Sequence, residues 1–372
     1  MSHRLVVGCM TGTSLDGLDV ALVRIDGRGL AMRAAFVEGL SLPLGDLAPP
    51  LRDLAEQRPA TAGVIAALSR RLALLHAEAV SALLGRRGLE PASVSLIAAH
   101  GQTVFHAPPV SWQLFSPAVL AQATGVRVVS DLRAADLARG GQGAPITPIA
   151  DWVFFRAGVP VAVVNLGGFC NITLLPAEAS GNAEPTPAGV RGFDLCACNH
   201  ALDAVARVAL DAPFDRDGRA ALAGRIDARM TGRLSDLLDA QSRSGRSLGT
   251  GDELAEFLRR ACQALSGPDA CASACAAVGS RIGRACAGSA RVLLAGGGAR
   301  NAALVGAIRA AAAPAEVMST ADAPPAGTGV DPAYREAAHM AVLGALCDDR
   351  VPITLASTTG VSDPPPAGLF TP

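Results

Sequence analysis

Lysine is absent from this chain; all 32 basic residues are arginine. That absence excludes mechanisms built on a side-chain amine. A Walker A loop closes with Lys-Ser/Thr, a protein kinase needs a strand lysine, and pyridoxal phosphate needs a lysine for its Schiff base. A nucleotide triphosphate bound here must be held by backbone donors, hydroxyls, arginine and metal. Aromatic residues make up 3% of the chain, with one tyrosine, so the core must be built from Ala, Val and Leu. No apolar run approaches the roughly 18 residues that a membrane helix needs. The net charge is −1 with dispersed arginines, which gives neither a nucleic-acid stripe nor a basic membrane face. Met1-Ser-His-Arg leads directly into a strand with no signal-peptide apolar region, so a cytoplasmic protein is expected, without membrane or nucleic-acid partners. The nine cysteines include no Cys-x-x-Cys pair and read as reduced, buried, small apolar residues. Cys196, Cys198 and His200 alternate and would share one face of a strand. A structural zinc site takes four ligands, and no second cluster supplies the fourth.

The most informative stretch present is Gly8-Cys-Met-Thr-Gly-Thr-Ser-Leu-Asp-Gly-Leu-Asp19, between the apolar runs Leu5–Val7 and Val20–Val23. Both runs are short and β-branched, so they read as strands. The linker combines glycines for close backbone approach, hydroxyl donors for phosphate oxygens, and aspartates that can hold a metal. It is a candidate phosphate clamp; an ordinary hairpin is the other reading. A second hairpin is predicted from Pro160–Leu166, the turn Gly167-Gly168 and Asn171–Leu175. The two hairpins open halves of similar length, which suggests two related α/β halves without a residue-level repeat.

Between the hairpins, Ala60–Gly85 carries Val64, Leu68, Leu72, Leu75 and Val80 near helical spacing. Ser95–Ala99 and Val126–Ser130 read as strands, and Ser116–Thr124 as a short helix with Pro117 in its first turn. Later segments give a loop at 177–191, helices at Asn199–Leu210, Gly218–Gly245 and Ala255–Ala285 (with a Gly-Pro break), a strand at Arg291–Ala295, and helices at Ala302–Ala312 and Tyr334–Leu346. The Pro-, Thr- and Gly-rich tail reads as a surface segment packed back on the body. His100-Gly101-Gln102-Thr103 follows a strand, where α/β sheets place ligand sites. Asp131, Arg133 and Asp136 set a cation between carboxylates. Gly296–Gly298, between strand and helix, suits a nucleotide approaching a helix N-terminus, although the Rossmann spacing is missing.

Seven motifs occur in order: Met10–Asp19, Ala-His-Gly-Gln-Thr-Val (99–104), Ser-Asp-Leu-Arg-Ala-Ala-Asp (130–136), Gly-Gly-Gln-Gly-Ala-Pro (140–145), Asn-Leu-Gly-Gly-Phe-Cys-Asn-Ile-Thr (165–173), Gly-Phe-Asp (192–194) and Gly-Gly-Gly-Ala-Arg-Asn (296–301). From residue 5 to about 365, the chain closely resembles the anhydro-N-acetylmuramic acid kinases of the actin/hexokinase/Hsp70-like ATPase superfamily. The resemblance implies an α/β fold of two actin-like (ribonuclease H-like) lobes with an interlobe active-site cleft. Lobes are expected over 1–145 and 146–372; whether the tail returns to the first lobe is left open. It further implies a kinase that opens the bridge of 1,6-anhydro-N-acetylmuramic acid with water and phosphorylates O6, using ATP and Mg2+. The product is N-acetylmuramic acid 6-phosphate, in cell-wall turnover. A homodimer is left open.

By the same resemblance, Gly12, Thr13, Ser14, Asp16, Gly17 and Asp19 match the first ATP-phosphate loop, with Asp16 as metal ligand. Asn165, Gly167, Gly168 and Asn171 match the second phosphate hairpin, and Gly296, Gly297, Gly298 and Asn301 the nucleotide-side loop. His100, Gln102, Thr103, Asp131 and Arg133 match loops near the sugar. Glu336 matches a sugar-side glutamate, and by itself reads as a first-turn carboxylate suited to the helix dipole. Asp194 falls on the catalytic aspartate: water attacking an anomeric carbon needs a carboxylate to take its proton. By itself Asp194 reads as a turn aspartate after Gly192-Phe193. Two stretches depart from the family pattern. After Asp194, Leu195-Cys196-Ala197-Cys198-Asn199 replaces Thr-Gly-Pro-Gly-Asn, and a backbone needing φ > 0 there would be resisted by Ala197 and Cys198. Ser242–Leu248 replaces Lys-Ser-Thr-Gly-Arg-Glu. These departures keep two alternatives in view: a kinase for another 1,6-anhydro sugar such as levoglucosan, and a non-catalytic nucleotide- or sugar-binding descendant.

Overall fold

The computed structural model describes residues 3–12, 15, 17–178, 184–243, 252–325 and 328–372. The first stretch of chain forms β1 (His3–Thr11), β2 (Leu18–Asp26), β3 (Arg33–Leu42), α1 (Ala48–Ala55), α2 (Ala62–Arg86) and β4 (Val94–Ala99). There follow β5 (Gln102–Ala107), β6 (Val110–Leu114), α3 (Pro117–Thr124), β7 (Val128–Ser130), α4 (Ala134–Ala138) and α5 (Pro148–Phe155). The middle of the chain gives β8 (Val161–Leu166), β9 (Phe169–Leu175), β10 (Arg191–Ala197), α6 (Asn199–Ala209), α7 (Arg219–Ala223) and α8 (Ala228–Arg243). The remainder comprises α9 (Asp252–Ala264), α10 (Gly267–Ala285), β11 (Arg291–Ala295), α11 (Ala302–Ala312), β12 (Glu316–Ser319), α12 (Arg335–Asp348), α13 (Ala356–Thr359) and β13 (Leu369–Thr371).

These elements form two compact units. One comprises Met1–Phe155, Ala179–Val190 and Ala323–Pro372; the other comprises Arg156–Glu178 and Arg191–Asp322. The sequence reading places the division after residue 145 and leaves open whether the tail returns to the first lobe; here the division differs by ten residues. It falls after Phe155, and residues 323–372 join the first unit. A buried ion pair joins α5 to α12: Asp151 accepts two hydrogen bonds from Arg335 Nη2, at 2.7 and 2.6 Å. Burial works against the Asp151 carboxylate, yet Arg335 and His339 hold its pKa down at about 2.

In the first unit the strand order is β13-β7-β4-β1-β2-β3. β1–β2 and β2–β3 are antiparallel, while β1–β4 and β4–β7 are parallel. In the second unit the order is β10-β9-β8-β11-β12. Here β8–β9 and β9–β10 are antiparallel, and β8–β11 and β11–β12 are parallel. Leaving aside the edge strand β13, both sheets share one order and one polarity. That repeated arrangement is the α/β, ribonuclease H-like architecture of actin-like ATPases, and it accounts for the repeated hairpins. β1, β4, β8 and β11 read as near-continuous apolar runs because both faces of each central strand are covered.

Several elements went unread in the sequence. β3, β12 and β13 are short on alternating apolar residues, and β5–β6 forms a separate two-stranded sheet. The stretch 191–197, partly read as loop, is strand β10. The region 218–245 is broken into α7 and α8, and residues 244–248 of the altered segment lie outside the described residues. Small residues set the closest packing. Gly279 and Gly283 of α10 face Ala307 and Ala311 of α11, which seats these two helices close together. Gly8 in β1 faces the backbone of α12, and a Cβ there would land on the Ala337 carbonyl and the Ala341 amide.

Neither backbone can move aside without breaking helix or sheet hydrogen bonds. The expected outcome for Gly8→Ala is a loss of about 3 kcal/mol or more, or failure to fold. Urea denaturation measures it; a midpoint equal to that of the parent would mean that α12 is not seated as described.

Candidate functional site

In the second unit the β8–β9 hairpin turns at Gly167-Gly168, as expected. Its register pairs Asn165 with Asn171, and the next strand pairs Asn171 with Asp194. Asn165, Asn171 and Asp194 therefore form a row across three strands, beside the glycine turn. Cross-strand partners share a face, so the two amides and the carboxylate present together. Asp194 is exposed at its side chain, but the protein around it partly excludes water, and this desolvation pushes its carboxyl pKa up.

The hairpin turn also starts a helix. Cys198 N donates to Gly168 O at 2.9 Å, Asn199 N to Gly167 O at 3.0 Å, and His200 N to Gly168 O at 3.1 Å. The first amides of α6, which have no partner within the helix, are thus satisfied by the turn. Asn199 Nδ2 completes the junction by donating to Leu166 O at 3.0 Å. Gly168 lies under the His200 ring, which would collide with any Cβ there. This settles the departure after Asp194. β10 continues through Ala197, Leu195 is the extra residue of a bulge, and Cys198 sits at φ −118°. None of residues 195–198 has positive φ, so the left-handed conformation that Ala197 and Cys198 would resist is not required here. Cys196 and Cys198 are buried among apolar residues, while His200 is already in α6, edge-on to Phe169. The strand alternation that would have aligned the three is therefore broken, and among the described residues no group of three His, Cys, Asp or Glu is placed to hold a metal.

β11 ends in Gly296–Gly298. Gly296 has φ +82°, and a Cβ on it would lie 2.8 Å from Asn165 Oδ1 and the Leu166 backbone. Gly298 packs as closely on Asn199 and Leu166. These glycines let the β11 loop lie against the hairpin. Asn301 caps α11, its Oδ1 accepting from Leu304 N at 3.0 Å. Beside them is a cavity of about 510 Å³ in the second unit, lined by Asn199, Gly297, Gly298, Arg300 and Asn301. It also takes in Asp203, Phe214–Asp217, Cys271 and Cys275, which went unread. The available signal was Asp215-Arg-Asp-Gly218, a turn sequence. Asp215 accepts Ala220 N and Ala221 N, both at 2.9 Å, and so fixes that turn on α7.

In the first unit the β1–β2 turn places Gly12 O within 3.2 Å of Leu15 N. Thr13, Ser14 and Asp16, the last being the expected metal ligand, lie outside the described residues. Gly17 approaches Leu42 O, and Asp19 sits within β2, where its carboxylate accepts the Ser41 hydroxyl at 2.5 Å. Thr11 Oγ1 donates to Gly101 O at 3.1 Å, which ties this turn to the His100 loop.

The sugar-side set divides. Arg133 Nε donates to His100 Nε2 at 2.9 Å and Arg133 Nη1 to Gly143 O at 2.6 Å. His100 Nδ1 then donates to Gly101 O at 3.0 Å, which fixes the tautomer. Burial, then Arg133, pushes the His100 pKa down to about 3. Burial lowers Arg133 to about 10, and Glu336 at the start of α12 partly offsets this. Glu336 is exposed and faces Arg133 electrostatically. Asp136 does not bracket Arg133 as expected. It is buried, accepting Thr359 Oγ1 at 2.7 Å and Gly143 N at 2.8 Å. Gln102 is buried, with Nε2 on Thr103 O at 3.2 Å, and the Thr103 hydroxyl accepts from Gln113 at 3.4 Å. Asp131 has φ +55° and accepts Ala134 N at 3.3 Å. His100 and Asp131 line a cavity of about 280 Å³.

Buried histidines kept neutral make stability depend on pH. Burial lowers His76 to about 4 and, with Arg133, His100 to about 3, against 6.5 for an unburied ring. Below pH 6.5 the unfolded chain takes up protons that the folded chain refuses, so stability falls as pH drops. The expected slope between pH 7 and 5 approaches about 1.4 kcal/mol per pH unit for each ring. Urea midpoints across that range check it; a flat or rising midpoint on acidification would contradict neutral burial.

With this geometry described, comparison with known proteins places the chain. Across residues 4–372 it matches the family profile described as anhydro-N-acetylmuramic acid kinase. A protein of that name from Salinibacter ruber is 36% identical, over 99% of this chain and 96% of its own length. Another, from Bordetella parapertussis, is 38% identical over 96% and 93%. A third, from Gloeobacter violaceus, is 34% identical over 99% and 98%. At this identity and near-complete coverage of both chains, the protein belongs to the anhydro-N-acetylmuramic acid kinase family.

Proposed function

We propose that this chain is an ATP-dependent kinase that opens the anhydro bridge of 1,6-anhydro-N-acetylmuramic acid with water and phosphorylates O6. The observation that carries the reading is the row Asn165–Asn171–Asp194 beside Gly167-Gly168. It puts a carboxylate next to a glycine turn able to approach phosphate. Phosphate binding without lysine is the chemistry this composition demands.

In the proposed reaction Asp194 takes a proton from water as the water oxygen bonds to C1 of the sugar. The C1–O6 bond breaks and O6 leaves as a developing alkoxide. O6 then attacks the γ-phosphorus, and the bond to the β–γ bridging oxygen breaks to release ADP. Asp194 later returns its proton to solvent. A carboxyl pKa raised by desolvation suits such a base, since a weakly basic carboxylate takes a proton poorly. Backbone donors at Gly167-Gly168 and Gly296–Gly298 would stabilise phosphoryl charge. Asp16 is the metal ligand proposed, its carboxylate being the hard oxygen donor that magnesium takes. Magnesium bound with ATP supplies charge neutralisation at the phosphates. On the sugar side, His100 serves as a fixed neutral ring, Gln102, Thr103, Asp131, Arg133 and Glu336 as polar contacts, and Asn301 as a nucleotide-side contact.

The test is ADP release from ATP and magnesium with 1,6-anhydro-N-acetylmuramic acid. The expected product is heavier than the sugar by one water and one phosphoryl group. Asp194→Asn should lower kcat by about 10³-fold while ATP still binds. Because desolvation raises the Asp194 pKa, kcat/KM should rise with pH through a limb above the ordinary carboxylate range. Product of the sugar plus phosphoryl alone would refute hydrolytic opening, and full activity in the variant would remove Asp194 from its role.

A further inference from the structure

The chain holds two tryptophans in very different settings. Trp152, in α5, is 1% exposed. Trp112, in β6, is 46% exposed. Leaving an indole in water forgoes a large burial gain, and a chain with so few aromatic residues spends one there. Trp112 lines the first-unit cavity of about 280 Å³ together with Phe115, His100, Gln113, Ser130 and Asp131. The lining combines these rings and the apolar Leu137 and Leu369 with polar groups.

The aromatic lining is built from supported parts. Phe115 packs on the buried His76 ring, centroids 4.8 Å apart. Trp112 stands opposite Phe105 in the β5–β6 register. Its strand neighbours brace the hairpin through side-chain hydrogen bonds. Gln113 Nε2 donates to Ser111 Oγ at 2.8 Å, and His106 Nδ1 lies 2.9 Å from the same oxygen. The indole is thus carried on a braced hairpin. Among the polar groups, both His100 nitrogens are already engaged by Arg133 and Gly101, so the ring is a fixed wall. Hydroxyl recognition falls to Ser130, Asp131 and Gln113.

We propose that Trp112 is the specificity-determining platform for the sugar, its indole lying on the C–H face of the anhydro ring while the polar groups read the hydroxyls. A pyranose has both apolar C–H and polar hydroxyl surface, and a cavity lined by both aromatic and polar side chains matches them. The assignment rests on the sugar-kinase reading above.

Two measurements test it. In the wild-type chain Trp152 is shielded, so the acrylamide-quenchable fluorescence belongs to Trp112. Titration with 1,6-anhydro-N-acetylmuramic acid, without nucleotide, should suppress that quenching. In steady state, Trp112→Ala should raise KM for the sugar about tenfold or more, with KM for ATP unchanged; about tenfold corresponds to 1.4 kcal/mol of lost binding. Trp112→Tyr, which keeps an aromatic face, should recover most of the loss. An unchanged sugar KM in Trp112→Ala, or saturating sugar that leaves quenching unaltered in an active enzyme, would overturn the platform alone. Absence of sugar phosphorylation by the wild-type chain would instead sink the kinase reading, and the platform with it. The fluorescence result needs no variant, so misfolding of Trp112→Ala would not protect the proposal.

Discussion

Three backbone hydrogen bonds, from the amides of Cys198, Asn199 and His200 to the carbonyls of Gly167 and Gly168, hold the second unit's chemistry in place. A helix must satisfy its first amides somewhere. Here it does so on the turn of a hairpin, so the hairpin, the end of β10 and the start of α6 share one position. Asp194 is placed by that junction, because β10 must run in register with β9 to deliver Cys198 to the turn. The glycines at 296 and 298 add the β11 loop to the same junction, by lying where side chains would collide with Asn165, Leu166 and Asn199.

The first unit is organised by charge as well as by small residues. Asp151 and Arg335 form a buried ion pair between α5 and α12, with His339 Nε2 3.0 Å from Asp151 Oδ1 and its pKa lowered by burial. An ion pair removed from water is tolerated only when well bonded, and the fork of Arg335 on Asp151 meets that condition. It fixes the first residue of α12. The next residue, Glu336, then faces Arg133, which in turn holds His100 and Gly143 O. Glu336, Arg133 and His100 are therefore a chain of mutually held groups rather than a set of loose side chains.

After Asp194, where the chain departs from the family pattern, the backbone takes no left-handed conformation. Extended conformation through Ala197 replaces the glycine-dependent course, and the cysteines fill the core beneath. Desolvation raises the thiols of Cys170 and Cys198 well above the ordinary range, as expected of packing residues that stay protonated.

What was legible in the sequence was whatever depends on local pattern. The two hairpins, α2, α6, α10 and α11 follow from apolar spacing, turn glycines and caps that act within a few residues. Pro117 does start α3, and Asn301 does cap α11. The ordered motifs were enough to place the family. What tertiary structure decided was everything that depends on partners distant in sequence. β13 exists because Leu369–Thr371 pair with β7, and Asp151 meets Arg335 across 184 residues of sequence. Asp136 was expected beside Arg133, but folding buries it against Thr359, 223 residues away. The cavity lined by Phe214–Asp217 and the aromatic lining at Trp112 are likewise assembled from separate segments. Propensity and turn chemistry act over neighbouring residues, so sequence alone determined the elements and the family. Register, burial and ion pairing act between segments, so only the folded chain decided which groups meet.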